Sequence, residues 1–269
     1  MTARHAYVSG VALWSPMLSG WEQARHILAG RANPPDVKAP RPVPELLPPN
    51  ERRRAPDSVA IALHAALSAC QHAAREPASL RSVFASMHGD LAITDYMCST
   101  LASDPSLVSP TRFHNSVHNA AAGYWSIGTG STRPYTALSA GPHSFAAGLL
   151  ESLLQLASSN EDVLLVSYDI ESRGPLATVA PSQGLLAAAL VLGLRRDDRC
   201  VARIDWELAH GASLSASAAR PQNMALVAGN SNAPCLPLFE ALALGEDAEV
   251  NLPVSQRAGL RLRISPTCA

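Results

Sequence analysis

Apolar positions recur along the chain with two different periods, and the stretches between them are rich in proline and glycine. Residues 6–13, AYVSGVAL, read as a short buried strand with a glycine inside. WEQARHILAG follows with helical spacing and stops at Gly30. Residues 33–56 hold a proline cluster that predicts an irregular loop, because proline removes backbone donors and resists helix and sheet alike. From Asp57 to about Ala74 the small and apolar residues Val59, Ile61, Ala62, Ala65, Ala66 and Ala69 mark a helix packed closely on a sheet. RSVFASM (81–87) reads as the next strand, ITDYMCSTLA (93–102) as a helix, and NSVHNAAAGYWSI (115–127) as one buried helix. RPYTAL (133–138) is a candidate strand and residues 142–157 a helix. DVLLVSYD (162–169) is an unbroken apolar run, as in a sheet covered on both faces. GLLAAALVLGL (184–194) does not choose between helix and strand, whereas 201–208 and 260–265 read as strands. Residues 211–257 carry little periodicity. Strands alternating with helices predict a layered α/β domain with helices on both sheet faces.

Composition narrows the function classes. Hydrophobic residues make up 47% of the 269 and charged residues 16%, enough for a sizeable core and too apolar for global disorder. A net charge of -1 leaves no basic excess for phosphate backbones, which argues against nucleic-acid binding. Lys38 is the only lysine. The N-terminus does not have the pattern of a signal peptide, and no apolar run reaches the length of a membrane span. Five widely spaced cysteines (Cys70, Cys98, Cys200, Cys235, Cys268) form no CxxC pair, so neither a zinc site nor a disulfide framework is expected, and a reducing cytoplasm fits.

Several residues could carry chemistry. His114 and His118 are four apart, the spacing of two zinc ligands on one helix face, but Asn115 stands where a general-base glutamate belongs and no third ligand is evident. Both imidazoles equally fit bonds to nearby backbone in a buried turn. Ser139 follows a strand and precedes a helix, with His143 four residues on; its context, A-L-S-A-G, is not that of a nucleophile elbow. Gly128, Gly130 and Gly141 form no nucleotide-binding loop. Cys98 has Asp95 and no cation nearby in sequence and reads as a core or pocket cysteine. Arg52, Arg53 and Arg54 read as a solvated patch or as a docking surface for an acidic partner.

Longer stretches, taken together and in order over about residues 6–195, resemble the β-ketoacyl synthases of the thiolase superfamily. AYVSGVALWSP with WEQARHILAG resembles their first strand, turn and helix. SVFASMHGD resembles a later strand and its glycine-containing loop. LVSPTRFHNSVHNAAAGYWSI resembles the segment before the active site, and TALSAGPHSFAAGLLESL the segment written T-A-C-x-x-G-x-H in active enzymes. Thr136, Ala137, Gly141 and His143 match; the nucleophilic cysteine's position is Leu138. The family's two further catalytic histidines sit in motifs absent here, and His210-Gly211 is read as coincidence. The resemblance implies a layered α-β-α thiolase-like fold: the N-terminal half of a ketosynthase (1–210) with a short divergent tail (211–269), forming one domain over 1–269.

SPT-FHNSVHNAAAGYWSI and TALSAG are more specifically similar to the chain-length-factor proteins of bacterial aryl-polyene (xanthomonadin-like) pigment clusters. That implies a non-catalytic subunit, without cofactor or metal, paired with a full-length β-ketoacyl synthase that extends a chain on an acyl carrier protein. Ile93, Thr94 and Met97 fall where the family's acyl-pocket residues lie; Phe113, His114, Asn115, Val117 and Tyr124 fall near its subunit interface; Leu138 and His143 mark the inert site. The alternatives are an acyltransferase or thioesterase using Ser139 with His143, and a scaffold that recruits the carrier through Arg52–Arg54.

Overall fold

A computed structural model describes residues 4–210 and 215–267. Gly211 of the His210-Gly211 pair and Cys268 lie outside the described residues. In chain order the elements are β1 (His5–Ser15), β2 (Leu18–Ser19), α1 (Trp21–Leu28), α2 (Pro49–Arg54), α3 (Asp57–Ala73), β3 (Arg81–Ala85), α4 (Leu91–Ser103), α5 (Pro110–Asn115), α6 (Ala120–Thr129), β4 (Tyr135–Leu138), α7 (Ser144–Ser159), β5 (Val163–Asp169), β6 (Leu186–Gly193), β7 (Ala202–His210), α8 (Pro221–Ala225), α9 (Leu236–Leu244), β8 (Ala248–Pro253) and β9 (Ala258–Pro266).

The strands form one sheet in the order β4-β3-β5-β6-β1-β7-β9-β8, with β2 paired to β1. β3 runs parallel to both β4 and β5; the other pairings are antiparallel. All seven residues of β5 are buried, as its unbroken apolar run predicts. The ambiguous segment 184–194 is the strand β6, and its residues alternate between two cores. Leu186, Ala188, Leu190 and Leu192 join the core under α1, α7 and α9, while Ala187, Ala189 and Val191 join the core under α3 and α6. Helices on both faces bury each side of the strand, so no polar face remains to reveal its period.

β1 changes phase within its length. Val8 pairs with Leu192 and Gly10 with Val191, so Ser9 is an extra residue, a bulge. Val8 and then Val11 and Leu13 therefore face the same core, three apart and then two. The bulge lies against α3, where a Cβ on Gly10 would come within 2.3 Å of the Ala69 carbonyl oxygen. Close passage of a buried helix over a strand is the reason for glycine here. Val11 N donates to His72 Nδ1 of α3 at 3.2 Å and closes the gap in the ladder.

Two expectations need correction, and one stretch left open by its lack of period is filled. The proline loop is irregular only as far as Pro48; residues 49–54 form α2, with Pro49 at its first position, where the missing N–H costs nothing. The segment 115–127 is not one helix but the end of α5, a turn at 116–119, and α6. Tertiary bonds hold that break: Asn115 Nδ2 donates to Arg54 O at 3.1 Å, and the His118 ring lies 3.0 Å from Ser86 O. The stretch 211–257 contains α8, α9 and β8. α9 is buried along nearly its whole length, so it has no polar stripe to betray it. Asn223 Nδ2 donates to Leu28 O at 3.0 Å and fastens this region to α1, while Arg220 pairs with Glu240 of α9 at 2.7 Å.

Candidate functional site

β4 is an edge strand, and its last residue is Leu138. Leu138 is half-buried, packs against the core and accepts from Ser86 N at 3.2 Å. The chain then turns through Gly141, whose φ of 57° lies in the left-handed region. Ala140 N donates to Ser144 Oγ at 3.0 Å, and that hydroxyl donates to Gly141 O at 2.7 Å. The sixteen-residue α7 begins at once. A strand, a tight turn and a helix N-terminus thus present residue 138 where a thiolate would be favoured, and a leucine side chain stands there. Ser139 is exposed and donates to Met87 O at 2.8 Å. It makes no hydrogen bond to His143 among the described residues, and His143 sits half-buried at the start of α7 without capping it.

A buried polar cluster lies behind this turn, at the carboxyl ends of β3 and β5. Asp169 is 1% exposed and accepts from Ser86 Oγ at 2.7 Å and Met87 N at 3.0 Å. Burial raises its carboxyl above the usual range, against these hydrogen bonds. Burial also lowers His88, whose two ring nitrogens are buried without a hydrogen-bond partner. Asn230 Nδ2 donates to Asp169 O at 3.2 Å and Asn232 Nδ2 to Ser167 O at 3.1 Å, so the region after residue 211 seals the ends of the strands. Sequence reasoning passed over Asp169, Asn230 and Asn232. One signal was available: an acid closing an otherwise apolar run needs a buried partner.

α5 is a ridge between two cavities. On one side Phe113, His114, Val117, Tyr124 and Ile127 line an apolar groove of about 820 Å³. Phe113, Val117 and Ile127 are 62%, 51% and 75% exposed, and the His114 ring packs edge-on against Tyr124 at 5.8 Å. Burial raises the Tyr124 hydroxyl, and the nearby Glu51 carboxylate adds to this. Asn119 at the groove's margin donates to the Tyr135 hydroxyl at 3.2 Å, which ties that margin to the edge strand β4. On the other side of α5, Arg112, Asn115 and Ile93 line a cavity of about 670 Å³ with Arg53, Arg54 and Arg173.

The expected residues are thus divided. Phe113, His114, Val117 and Tyr124 meet in the groove, whereas Asn115 and Ile93 face the second cavity. Thr94 and Met97 are half-buried on α4 and line neither. The shared helix face for His114 and His118 does not exist, because α5 ends between them. Among the described residues no group of three or more His, Cys, Asp or Glu could hold a metal. Cys98, expected in a core or pocket, is exposed on α4. No helix among the described residues is long and apolar enough to cross a membrane.

A layered α/β sheet with a strand-turn-helix at residues 136–144 is a thiolase-like frame. The sequence matches the family model "Beta-ketoacyl synthase, N-terminal domain" over residues 19–247, and the chain belongs to that family. Among curated protein sequences none matches this chain. Solved structures share the fold. A ketosynthase (ApeO) in complex with its chain length factor (ApeC) from Xenorhabdus doucetiae superposes with TM-score 0.71 at 20% identity, over 96% of this chain and 98% of that one. The ishigamide ketosynthase/chain length factor superposes with TM-score 0.72 at 15% identity, over 97% and 99%. A type II polyketide acyl-carrier protein in complex with its ketosynthase (AntDE:AntF) gives TM-score 0.72 at 11% identity, over 98% and 99%.

Proposed function

We propose that this chain is a non-catalytic, chain-length-factor-like subunit. It pairs with an active β-ketoacyl synthase and helps shape the tunnel for an acyl chain borne on an acyl carrier protein, in aryl-polyene biosynthesis. One observation carries the reading: the turn that positions a ketosynthase nucleophile is kept, with Leu138 in it, on a chain that also exposes an apolar groove whose margin is bonded to the edge strand β4. Leucine neither attacks a thioester nor holds an acyl group, but it packs and excludes water. An apolar groove with large exposed side chains is what a subunit buries on association. Solved relatives that are ketosynthase/chain-length-factor complexes support the pairing.

In this reading Phe113, His114, Val117 and Tyr124 meet the partner, with Asn115 holding α5 in place. Ile93, Thr94 and Met97 on α4 stand nearest the growing chain. Leu138 and His143 form the inert turn. The chain acts as one domain over 1–269, needs no cofactor or metal, and works in the reducing cytoplasm, where Cys70, Cys98 and Cys235 stay free thiols.

The test is co-expression with the cognate full-length ketosynthase. Condensation of a malonyl-carrier substrate is then assayed for each protein alone and for the pair. A stable complex and chain extension by the pair only are expected. Thioester turnover by this chain alone, abolished by Ser139→Ala, would overturn the reading in favour of a serine acyltransferase.

A further inference from the structure

We propose that the cavity on the second side of α5 is a binding site for a ligand carrying a phosphoryl group. Four guanidiniums border its volume of about 670 Å³: Arg53 and Arg54 from the end of α2, Arg112 from α5, and Arg173 from the loop after β5. They arrive from three separate elements, so they approach an occupant from different sides. A carboxylate is satisfied by one guanidinium fork, whereas a phosphoryl group presents three oxygens to separate donors.

Three acids line the same cavity and offset part of this charge, leaving one more guanidinium than carboxylates. Asp57 is paired with Arg41 at 2.5 Å. Asp90 caps α4 by accepting from Ile93 N at 3.1 Å and also accepts from Ser58 Oγ at 3.2 Å. Glu171 is exposed at the rim. Among the arginines, Arg54 reaches Glu51 only at 3.6 Å and Arg53 bonds a neutral amide, Asn50. Arg173 makes no hydrogen bond or ion pair among the described residues. Arg112 is oriented in advance: its guanidinium lies 4.0 Å over the Tyr96 ring. The Tyr96 hydroxyl is itself fixed by Leu107 O at 3.1 Å and Ser109 N at 3.0 Å. Ile93, Ile170 and Leu185 give the cavity an apolar portion. The volume far exceeds one phosphate, so the cavity has room for an organic body beside an anionic head.

Two sources share this chemistry: a free phosphorylated metabolite, and the phosphoester of a carrier protein's prosthetic arm. The site stands whether or not the chain pairs with a ketosynthase. The experiment is calorimetric titration of the purified full chain, at low ionic strength, with inorganic phosphate and separately with phosphopantetheine. Wild type, Arg173→Ala, Arg112→Ala/Arg173→Ala and the distant surface control Arg257→Ala are compared. Binding of either probe should weaken about tenfold with Arg173→Ala and about a hundredfold in the double variant, at about tenfold per charged hydrogen bond, and stay unchanged in Arg257→Ala. Tighter binding of phosphopantetheine than phosphate assigns the carrier arm, and equal binding assigns a small metabolite; both outcomes uphold the site. It is overturned if neither probe binds the wild type, or if Arg173→Ala, which breaks no bond of the fold, binds as wild type does.

Discussion

Replacing Ile127 separates a docking face from an ordinary patch of surface. Ile127 is 75% exposed on α6 and lines the apolar groove. A side chain already in water contributes little to folding, so Ile127→Ala and Ile127→Asp should hold stability within about 0.5 kcal/mol of wild type. Association is another matter. Fully burying an isoleucine is worth about 1.5–3 kcal/mol, and three quarters of that is left to gain on docking, so Ile127→Ala forgoes about 1–2 kcal/mol, or about tenfold in Kd. Ile127→Asp also puts an unpaired carboxylate where water is excluded. That adds about 1–3 kcal/mol and brings the loss to about a hundredfold or more. The matched control is Val37→Asp. Val37 is 80% exposed but sits in the strap fixed to the β1–β2 turn, where Ala39 N donates to Pro16 O at 2.7 Å. Titration of the cognate ketosynthase with each variant, with thermal melts alongside, reads both quantities. The reasoning fails if Ile127→Asp binds like wild type, or if Val37→Asp loses as much affinity.

Three further substitutions probe the frame around the site. Gly10→Ala forces a Cβ to within 2.3 Å of the Ala69 carbonyl, an overpacking worth about 1–3 kcal/mol and about 2–4 °C of Tm per kcal/mol by calorimetry; an unchanged Tm would refute the close passage of α3. His72 is lowered chiefly by burial and accepts the Val11 N–H, so the unfolded chain takes up its proton first as pH falls below about 6.5 and stability drops there. His72→Gln keeps an acceptor without that proton. The urea midpoint of the variant should fall less than that of wild type between about pH 7.5 and 5.5, and equal falls would dismiss this role. Leu138→Cys should create a thiol that alkylating reagents label, yet no condensation by the pure protein; turnover by this variant alone would show that the missing cysteine was the sole defect.

Much of the frame could be read from residues alone. Unbroken apolar runs and the small-residue helix 57–73 identify β5 and α3, because period and burial are local consequences of side-chain direction. The T-A-L-S-A-G turn and the leucine within it are likewise sequence facts. Elements whose causes are not local escaped. The break between α5 and α6 depends on Arg54 O and Ser86 O, which are distant along the chain. The bulge at Ser9 depends on α3 passing over β1, and α9 is too uniformly apolar to show a period. The site divides in the same way. Sequence order placed Phe113, His114, Asn115, Val117 and Tyr124 in one candidate interface. Folding sends Asn115 to the other side of a six-residue helix, to face arginines from two further segments. A short helix turns adjacent residues in different directions, so neighbourhood along the chain does not decide which cavity a side chain lines. The chain by itself determined the thiolase-like frame and the leucine in its strand-to-helix turn. Only tertiary packing decided which surfaces that frame leaves open, because a groove and a charged cavity are made of residues that meet in space.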